Sequence, residues 1–409
     1  MASNVFNNQV KIIADAIGEV IEEDVTLGKQ VKRLNGRECF PNGESNLKNG
    51  DTVHLKIPGH ATVTEGKDAD PDGLNDTTVS ATLRQFNTSF VLSSKERTLN
   101  LDDMKTRVRI HAAAMANKVD QLFWQLAKKV PIVTGAATAS RPTTLTPFLD
   151  AVAYIKLIGG VSDDGTLKCV ANPLHIASMV EAVKGLANPV SDIAKQYREG
   201  NLGQVAGLAF SSDRNAYSLA GTGGTYTGTT VINGTITVEG TTSIVCDGFT
   251  EGNTINAGDS FTIAGCYAVD PVSLEASGVL KPLVASALAT ATSGGNITIV
   301  ITEPLYATGT SKNVSALPQD GAAVDPWLNS AVTPYGTSLV FHPSAFVWAS
   351  VPIEPYPDIA SSVVTIPDLG LSIRVAAGTN ISSDTTLYRL DMLVAAAMGR
   401  PNHAARVLG

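Results

Sequence analysis

The chain has 409 residues, 44% of them apolar, which suits two or three domains of about 100 to 200 residues and excludes disorder as a description of the whole. Only 17% of residues are charged, so hydroxyl and amide groups make up much of the polar surface and suit close protein contacts. Thirty basic against 38 acidic residues leave −8, which excludes a protein that coats phosphate backbones by bulk charge.

Residues 1–10 carry no basic stretch followed by an apolar one, and no window reaches the roughly 18 unbroken apolar residues that cross a bilayer. Neither export by that route nor membrane insertion is expected. Phe6, Val10, Ile13, Ile17 and Val20 step by four, three, four and three, predicting an amphipathic helix with Ser3 or Asn4 as N-cap. Such a helix either packs on its own domain or is an arm that reaches a neighbour.

From Thr52 to Ser93 the period becomes two: Val53, Leu55 and Ile57 alternate with polar residues, as do Val79, Ala81 and Leu83. A long hairpin is predicted, with an exposed tip at Glu65 to Asp76. Arms of about 15 residues at ~3.3 Å each would span roughly 50 Å, farther than a compact domain needs. Apolar residues from Leu101 through Met104, Val108, Ala112, Met115, Val119, Leu122 and Leu126 to Val130 then predict a helix of about 45 Å, with Asn100 and Asp103 as a capping box and Pro131 as the stop. It reads as the spine of an extended domain, with a coiled coil as the other reading of the stripe.

Pro147 opens a helix that Gly159 and Gly160 close, Pro173 opens a second through Val183, and Pro189 a third ending near Glu199; Val205 to Phe210 reads as a buried strand. Near Ala220 the composition turns to Gly, Thr, Val and Ile in short alternating runs that last to about Val340. From Asn215 to Ile373 there is no Arg, and two basic residues, Lys281 and Lys312, against twelve acidic ones give −10; 28 against 26 give +2 for the rest. An acidic β-rich insertion in a near-neutral α/β host is expected. Strands return at Ser338 to Ser350, Ser361 to Ile366, Leu371 to Val375 and Thr385 to Ala397, before a polar tail, Arg400 to Gly409.

Catalytic patterns are missing. Gly221, Gly223, Gly224 and Gly228 lack the Lys-Ser/Thr of a phosphate loop and read as a linker. The six histidines show no metalloprotease spacing, and no G-x-S-x-G elbow occurs. Asp163 with Asp164 and Asp102 with Asp103 suit a turn and a first helical turn. Cys39, Cys169, Cys246 and Cys266 lie far apart without C-x-x-C and read as reduced, small buried residues. No catalytic, metal or cofactor site is expected, and the chain reads as a non-enzyme.

The order of these elements resembles the major capsid (coat) proteins of tailed bacteriophages, with the α+β HK-97-type fold, in the branch with an inserted domain typified by the Salmonella short-tailed phages. NGDTVHLKIPGHATVTEG (Asn49 to Gly66) is similar to the rising arm of the family's E-loop, and GNLGQVAGLAFSSD (Gly200 to Asp213) to the strand before the insertion. NAGDSFTIAGCYAVD (Asn256 to Asp270) and GNITIVITEPLYATGTSKNVSAL (Gly295 to Leu317) resemble strands of its six-stranded barrel, and Ile366 to Gly409 the family's C-terminal end.

The resemblance implies an N-terminal arm (1–43), an E-loop hairpin (44–98), a peripheral domain with the spine helix (99–145), a first axial part (146–219), an inserted β-barrel (220–340) and an axial/peripheral return (341–409), with Phe346 to Met398 in the axial domain. Contacts between subunits are expected from Phe6, Val10, Ile13 and Ile17 of the arm and from Lys56, Glu65, Lys67 and Arg84 of the hairpin. Charged contacts across two-fold axes rest on Lys281 or Lys312. Implied partners are other copies in pentamers and hexamers, a scaffolding protein during assembly, a portal protein at one vertex, a decoration protein, and double-stranded DNA enclosed without sequence-specific binding; no membrane partner is implied. The implied place is the virion, after assembly in the host bacterial cytoplasm. A bacterial encapsulin-type nanocompartment shell is the alternative on the same fold, and a Thr/Gly-rich adhesin a further class that the missing export signal disfavours.

Overall fold

The computed structural model describes residues 21, 25–33, 52–57, 77–99, 101–135, 141–161, 167–183, 204–205, 207–216, 218–219, 229–326, 335–366 and 369–409. These fall into two units, one holding Thr78–Phe123 and Phe346–Gly399 with residues up to Leu55, the other Trp124–Ala345 and Arg400–Gly409 with residues from Lys56 to Thr77. The expected first helix around Phe6 to Val20, the hairpin tip, the Pro189 helix, the Asp163 and Asp164 turn and the Gly221 to Gly228 linker lie outside the described residues.

In the first unit a 14-residue strand, Thr385–Met398, is the axis of a six-stranded sheet. One edge pairs with Leu371–Asn380, which pairs in turn with Ala360–Ile366. The other edge takes two strands end to end: Arg84–Ser93 pairs along Val394 back to Thr385, and Phe346–Ser350 takes over from Val394 to Met398. Lys32–Arg33 adds a parallel edge beside Val347 and Trp348. Phe346–Met398 therefore shares its sheet with Arg84–Ser93, not with the Thr146 to Asp213 region that the resemblance assigns to it.

The second arm of the hairpin thus ends earlier in the chain than its alternation suggests. Thr52–Ile57 pairs with Thr77–Thr82 as a two-stranded sheet, and after Leu83 the same chain joins the six-stranded sheet of its own subunit. The described paired arms are about 20 Å long at ~3.3 Å per residue. Period two predicts a strand but not its partner.

The predicted spine is a helix over Leu101–Ala127, preceded by a short helix, Ser94–Leu99, that the sequence does not signal. Val108, Ala112, Met115 and Val119 are buried along one stripe, and Phe123 meets Phe346 and Trp348 edge-on at 6.4 and 6.3 Å. Asp120, also buried, accepts hydrogen bonds from the N–H groups of Thr26, Leu27 and Gly28 at 2.9, 3.1 and 3.0 Å. It thereby satisfies the open donors at the start of the 3-10 turn Gly28–Gln30, a cap supplied from 90 residues away in sequence. A Cβ at Gly28 would stand 2.9 Å from a Val25 methyl and 3.4 Å from a Val119 methyl, so a larger residue requires Val25 to shift.

The second unit is built on a seven-stranded mixed sheet in the order Ile132–Gly135, Ala404–Leu408, Tyr335–Phe341, Lys168–Ala171, Leu208–Ser212 and Gln204–Val205, with Ser218–Leu219 also on Tyr335–Phe341. Helices Thr146–Gly159 and Pro173–Val183 match their proline starts, and Gly160 at φ 63° provides the left-handed stop. Phe148 of the first helix meets Phe210 of the sheet at 5.5 Å. The stretch expected as one strand, Val205 to Phe210, is two antiparallel strands turning at Gly207, φ 80°. Ser338 to Ser350 is likewise two strands in two sheets, because Pro343 starts a 3-10 turn between them.

The largest correction concerns the polar tail. Ala404–Leu408 is buried at every position, parallel to Ile132–Gly135 on one side and antiparallel to Tyr335–Phe341 on the other. Arg400, His403 and Arg406 give the segment its polar look, yet Arg406 is buried and its Nη2 donates to the Gly258 carbonyl at 3.2 Å.

The insertion closes on itself. Val231–Ile232 pairs with Thr241–Asp247, that strand with Ile297–Leu305, and a bridge from Ile301 to Ala285 passes to Leu283–Val284. The ring continues through Ser260–Ile263 and Val324–Pro326 and returns by a bridge from Ala323 to Val231. The result is the expected six-stranded barrel. Alternation along Ile297–Leu305 sends Ile297, Ile299 and Ile301 inward onto Ile244, Cys246, Phe261 and Ile263. Entry and exit lie side by side, since Ser218 and Leu219 pair with Gly336 and Tyr335, so a module of about a hundred residues is added without opening the host sheet. Ser260 Oγ donates to the Pro131 carbonyl at 2.7 Å, fixing barrel to host.

Candidate assembly surfaces

The first surface is the base of the hairpin. Val53 is buried, and Val79, Ala81 and Leu83 are half-buried against Val347, Ala349, Val351, Ala395 and Ala397. Apart from Trp348, valines and alanines line a cavity of about 10 Å³ in this seat. His54, Thr78, Ser80 and Thr82 are exposed. Lys56 lies on the first strand, and Arg84 is exposed opposite Val394 at the point where the chain enters the body sheet. Phe6, Val10, Ile13, Ile17, Glu65 and Lys67 lie outside the described residues.

The second surface was not legible in the sequence. Asp391, wholly buried, accepts from Arg374 Nη2 and Nε at 2.8 and 3.3 Å, from Arg389 Nε at 2.9 Å and from Gln85 Nε2 at 3.1 Å. Arg374 also donates to the Glu354 carbonyl and to the Tyr356 hydroxyl at 2.9 and 3.0 Å, and its guanidinium stacks 4.1 Å from the Tyr356 ring centre. The hydrogen bond to Asp391 holds the Arg389 pKa above its ordinary value. Two guanidiniums on one carboxylate leave a net positive charge, carried outward by Arg389, whose side chain is 38% exposed. Nearby, Val91 and Leu387 face each other across the strands, 49% and 44% exposed. The only hint in the sequence is that Arg374 ends the long stretch without arginine.

The insertion's two lysines both have partners inside the module. Lys281 is buried with its Nζ 3.0 Å from Glu303 Oε2, and Asn313 Nδ2 donates to the other carboxylate oxygen at 3.2 Å. Lys312 Nζ donates to the Leu274 carbonyl at 3.0 Å. Cys169, Cys246 and Cys266 are free and buried; burial pushes all three thiols up, Cys246 to about 12 and Cys266 to about 11. Among the described residues no group of three metal-binding side chains occurs, and no helix is long and apolar enough to cross a membrane.

The family described as "P22 coat protein - gene protein 5" matches residues 1–408. The chain belongs to this coat protein family. It is a major capsid protein: a structural protein whose many copies form the capsid shell of a virion. The nanocompartment reading is not favoured. Its fold is the α+β, HK-97-type arrangement of hairpin, long helix and split α/β sheet with an inserted barrel. No curated protein matches. Similar solved structures include one titled Mycobacterium phage Che8 (13% identity, 94% of this chain and 90% of that one, TM-score 0.45). Others are the capsid of Ralstonia phage GP4 (10%, 92% and 86%, 0.44) and the mature capsid of bacteriophage PhiM1 (12%, 88% and 82%, 0.41).

Proposed function

We propose that this coat protein forms the pentamers and hexamers of an icosahedral head that encloses double-stranded DNA, assembling in the host bacterial cytoplasm with a scaffolding protein and leaving one vertex to a portal protein. The observation that carries this reading is the coat family match along residues 1–408. Physical reasoning supports it. Weak contacts between copies let errors dissociate, while enclosure by many neighbours gives multivalent stability without a catalytic site. An acidic module facing outward leaves a near-neutral remainder that tolerates packaged DNA without gripping it.

In this reading residues 1–43 are an arm, 44–98 the E-loop up to the point where Arg84–Ser93 joins the body sheet, 99–145 the peripheral domain, 146–219 the first axial part, 341–409 the axial/peripheral return, and 220–340 the insertion, open to a decoration protein. Lys56, Glu65, Lys67 and Arg84 face a neighbouring copy. Of the insertion's lysines, Lys312 is the better placed for a charged contact with another copy, since Lys281 is buried against Glu303.

Negative-stain microscopy of the expressed protein, with and without its scaffold, tests the reading: shells are expected with the scaffold, and discrete monomers under all conditions would overturn it. Reversing charge at Lys56, Glu65, Lys67 or Arg84 is expected to lower particle yield while circular dichroism of the subunit stays unchanged. Full yield from all four variants removes the hairpin's role.

A further inference from the structure

One cluster of titratable groups plays no part in the surfaces above. Where the chain leaves the seven-stranded unit, Tyr335–Phe341 ends in His342 and the 3-10 turn Pro343–Ala345; where it returns, Arg400 leads through the 3-10 turn Pro401–His403 into Ala404–Leu408. The two crossings are joined by their backbones, His342 N–H donating to the His403 carbonyl at 2.9 Å and Arg400 N–H to the Ala345 carbonyl at 3.2 Å. A single hydroxyl joins their side chains. Ser344 Oγ lies 2.7 Å from Nδ1 of His342 and 2.7 Å from Nδ1 of His403, and the rings stand edge-on with centres 5.8 Å apart.

The cluster has a limited capacity for protons. Ser344 N–H points at His342 Nδ1 at 3.3 Å, which makes that nitrogen an acceptor. With the Nδ1–H tautomer of His403, the Ser344 hydroxyl donates to His342 Nδ1 and accepts from His403, which satisfies both ring contacts. A proton on His342 Nδ1 turns the acceptor into a donor facing Ser344 N–H. If His403 Nδ1 is protonated too, the hydroxyl proton has no ring nitrogen to meet. The local charges act in the same direction: Arg400 and the opposing imidazole disfavour charge on His403, as burial does most strongly. Only the Gly159 carbonyl, ending the helix Thr146–Gly159 packed on this turn, favours it, and that helix's last turn carries another cation, Lys156.

We propose that His342, Ser344 and His403 form an acid-released clasp on the two crossings, closed while at most one ring is charged and open when both are. Burial holds His403 down to about 4 from the usual 6.5. A histidine depressed by folding leaves the clasp at full strength above pH 6.5, weakens it progressively as pH falls, and completes the loss as pH falls through 4. A subunit so built holds its crossing strands at neutral pH and loosens them in acid.

Hydrogen exchange of the full-length chain, read by mass spectrometry and corrected for the intrinsic pH dependence of exchange, tests this. Peptides covering 338–346 and 399–405 are expected to lose about tenfold protection between pH 7 and pH 4, while a barrel peptide covering 295–305 changes less than about threefold. Ser344→Ala is expected to show the low protection at both pH values. His342→Gln, whose side-chain oxygen accepts but takes up no proton, is expected to lose less protection than wild type at pH 4, since His403 remains buried but no longer faces a second charged ring. Wild-type peptides that stay protected at pH 4, a loss shared equally by the barrel, or an unchanged acid response in His342→Gln each overturn the proposal. The wild-type arm decides even if a variant fails to fold.

Discussion

The inserted barrel and the six-stranded sheet are built from the same alternating pattern, yet one closes on itself and the other ends in edges. Every strand of the barrel ring has a neighbour on both sides. Among the described residues, Ala360–Ile366 of the sheet pairs on one side, and Thr52–Ile57 and Thr77–Thr82 pair with each other. Open edges invite pairing with another chain, a hazard for a monomer and a resource for a shell subunit. The two regions also treat charge differently. The barrel's Lys281 leans on a Glu303 side chain that is 34% exposed, so water shares the work; the sheet's Asp391 has no exposure and depends wholly on its arginines and Gln85.

That contrast is broken most directly at Asp391. Asp391→Ala strands two arginines, one of them buried, and is expected to cost about 3–5 kcal/mol in denaturant unfolding of the subunit; a loss below about 1 kcal/mol would deny the cluster its structural role. Ile299→Ala removes a buried side chain from the barrel core and is expected to cost about 2–4 kcal/mol, with the far-UV spectrum unchanged. Lys281→Met, by contrast, should stay within about 1 kcal/mol of wild type, because Glu303 can turn to water and the apolar replacement fills similar space. An effect equal to that of Asp391→Ala would show the barrel pair to be as dependent as the sheet's. Smallest of all is the response to thiol reagents at pH 8: Cys169, Cys246 and Cys266 should stay unlabelled until denaturant is added, since burial disfavours their thiolates. Rapid labelling of any of the three in the native protein would show that its site opens.

How far these features were legible varies with the range of the interaction behind them. The helices at Thr146–Gly159 and Pro173–Val183 were readable because proline, glycine and apolar spacing act within a few residues. The barrel was readable as strands, and the family resemblance added its closure. Arg84–Ser93 was read as half of a projecting arm because alternation is blind to its partner, 300 residues away. Asp391, Arg374 and Arg389 passed unnoticed, since two arginines and an aspartate within eighteen residues look like the charged positions of any surface strands. Nothing in the sequence marks Asp120, because the three backbone N–H groups it accepts from lie more than 90 residues earlier in the chain.

By itself the sequence determined what is local: which stretches are helix or strand, where prolines and glycines end them, and where an arginine-free acidic module begins and stops. Tertiary structure decided which strands are neighbours, turning a polar tail into a central strand and a supposed arm into part of the body. The physical reason is that hydrogen-bond partners and buried charge pairs are chosen by the free energy of the whole packed unit, and contacts distant along the chain leave no periodic trace in it.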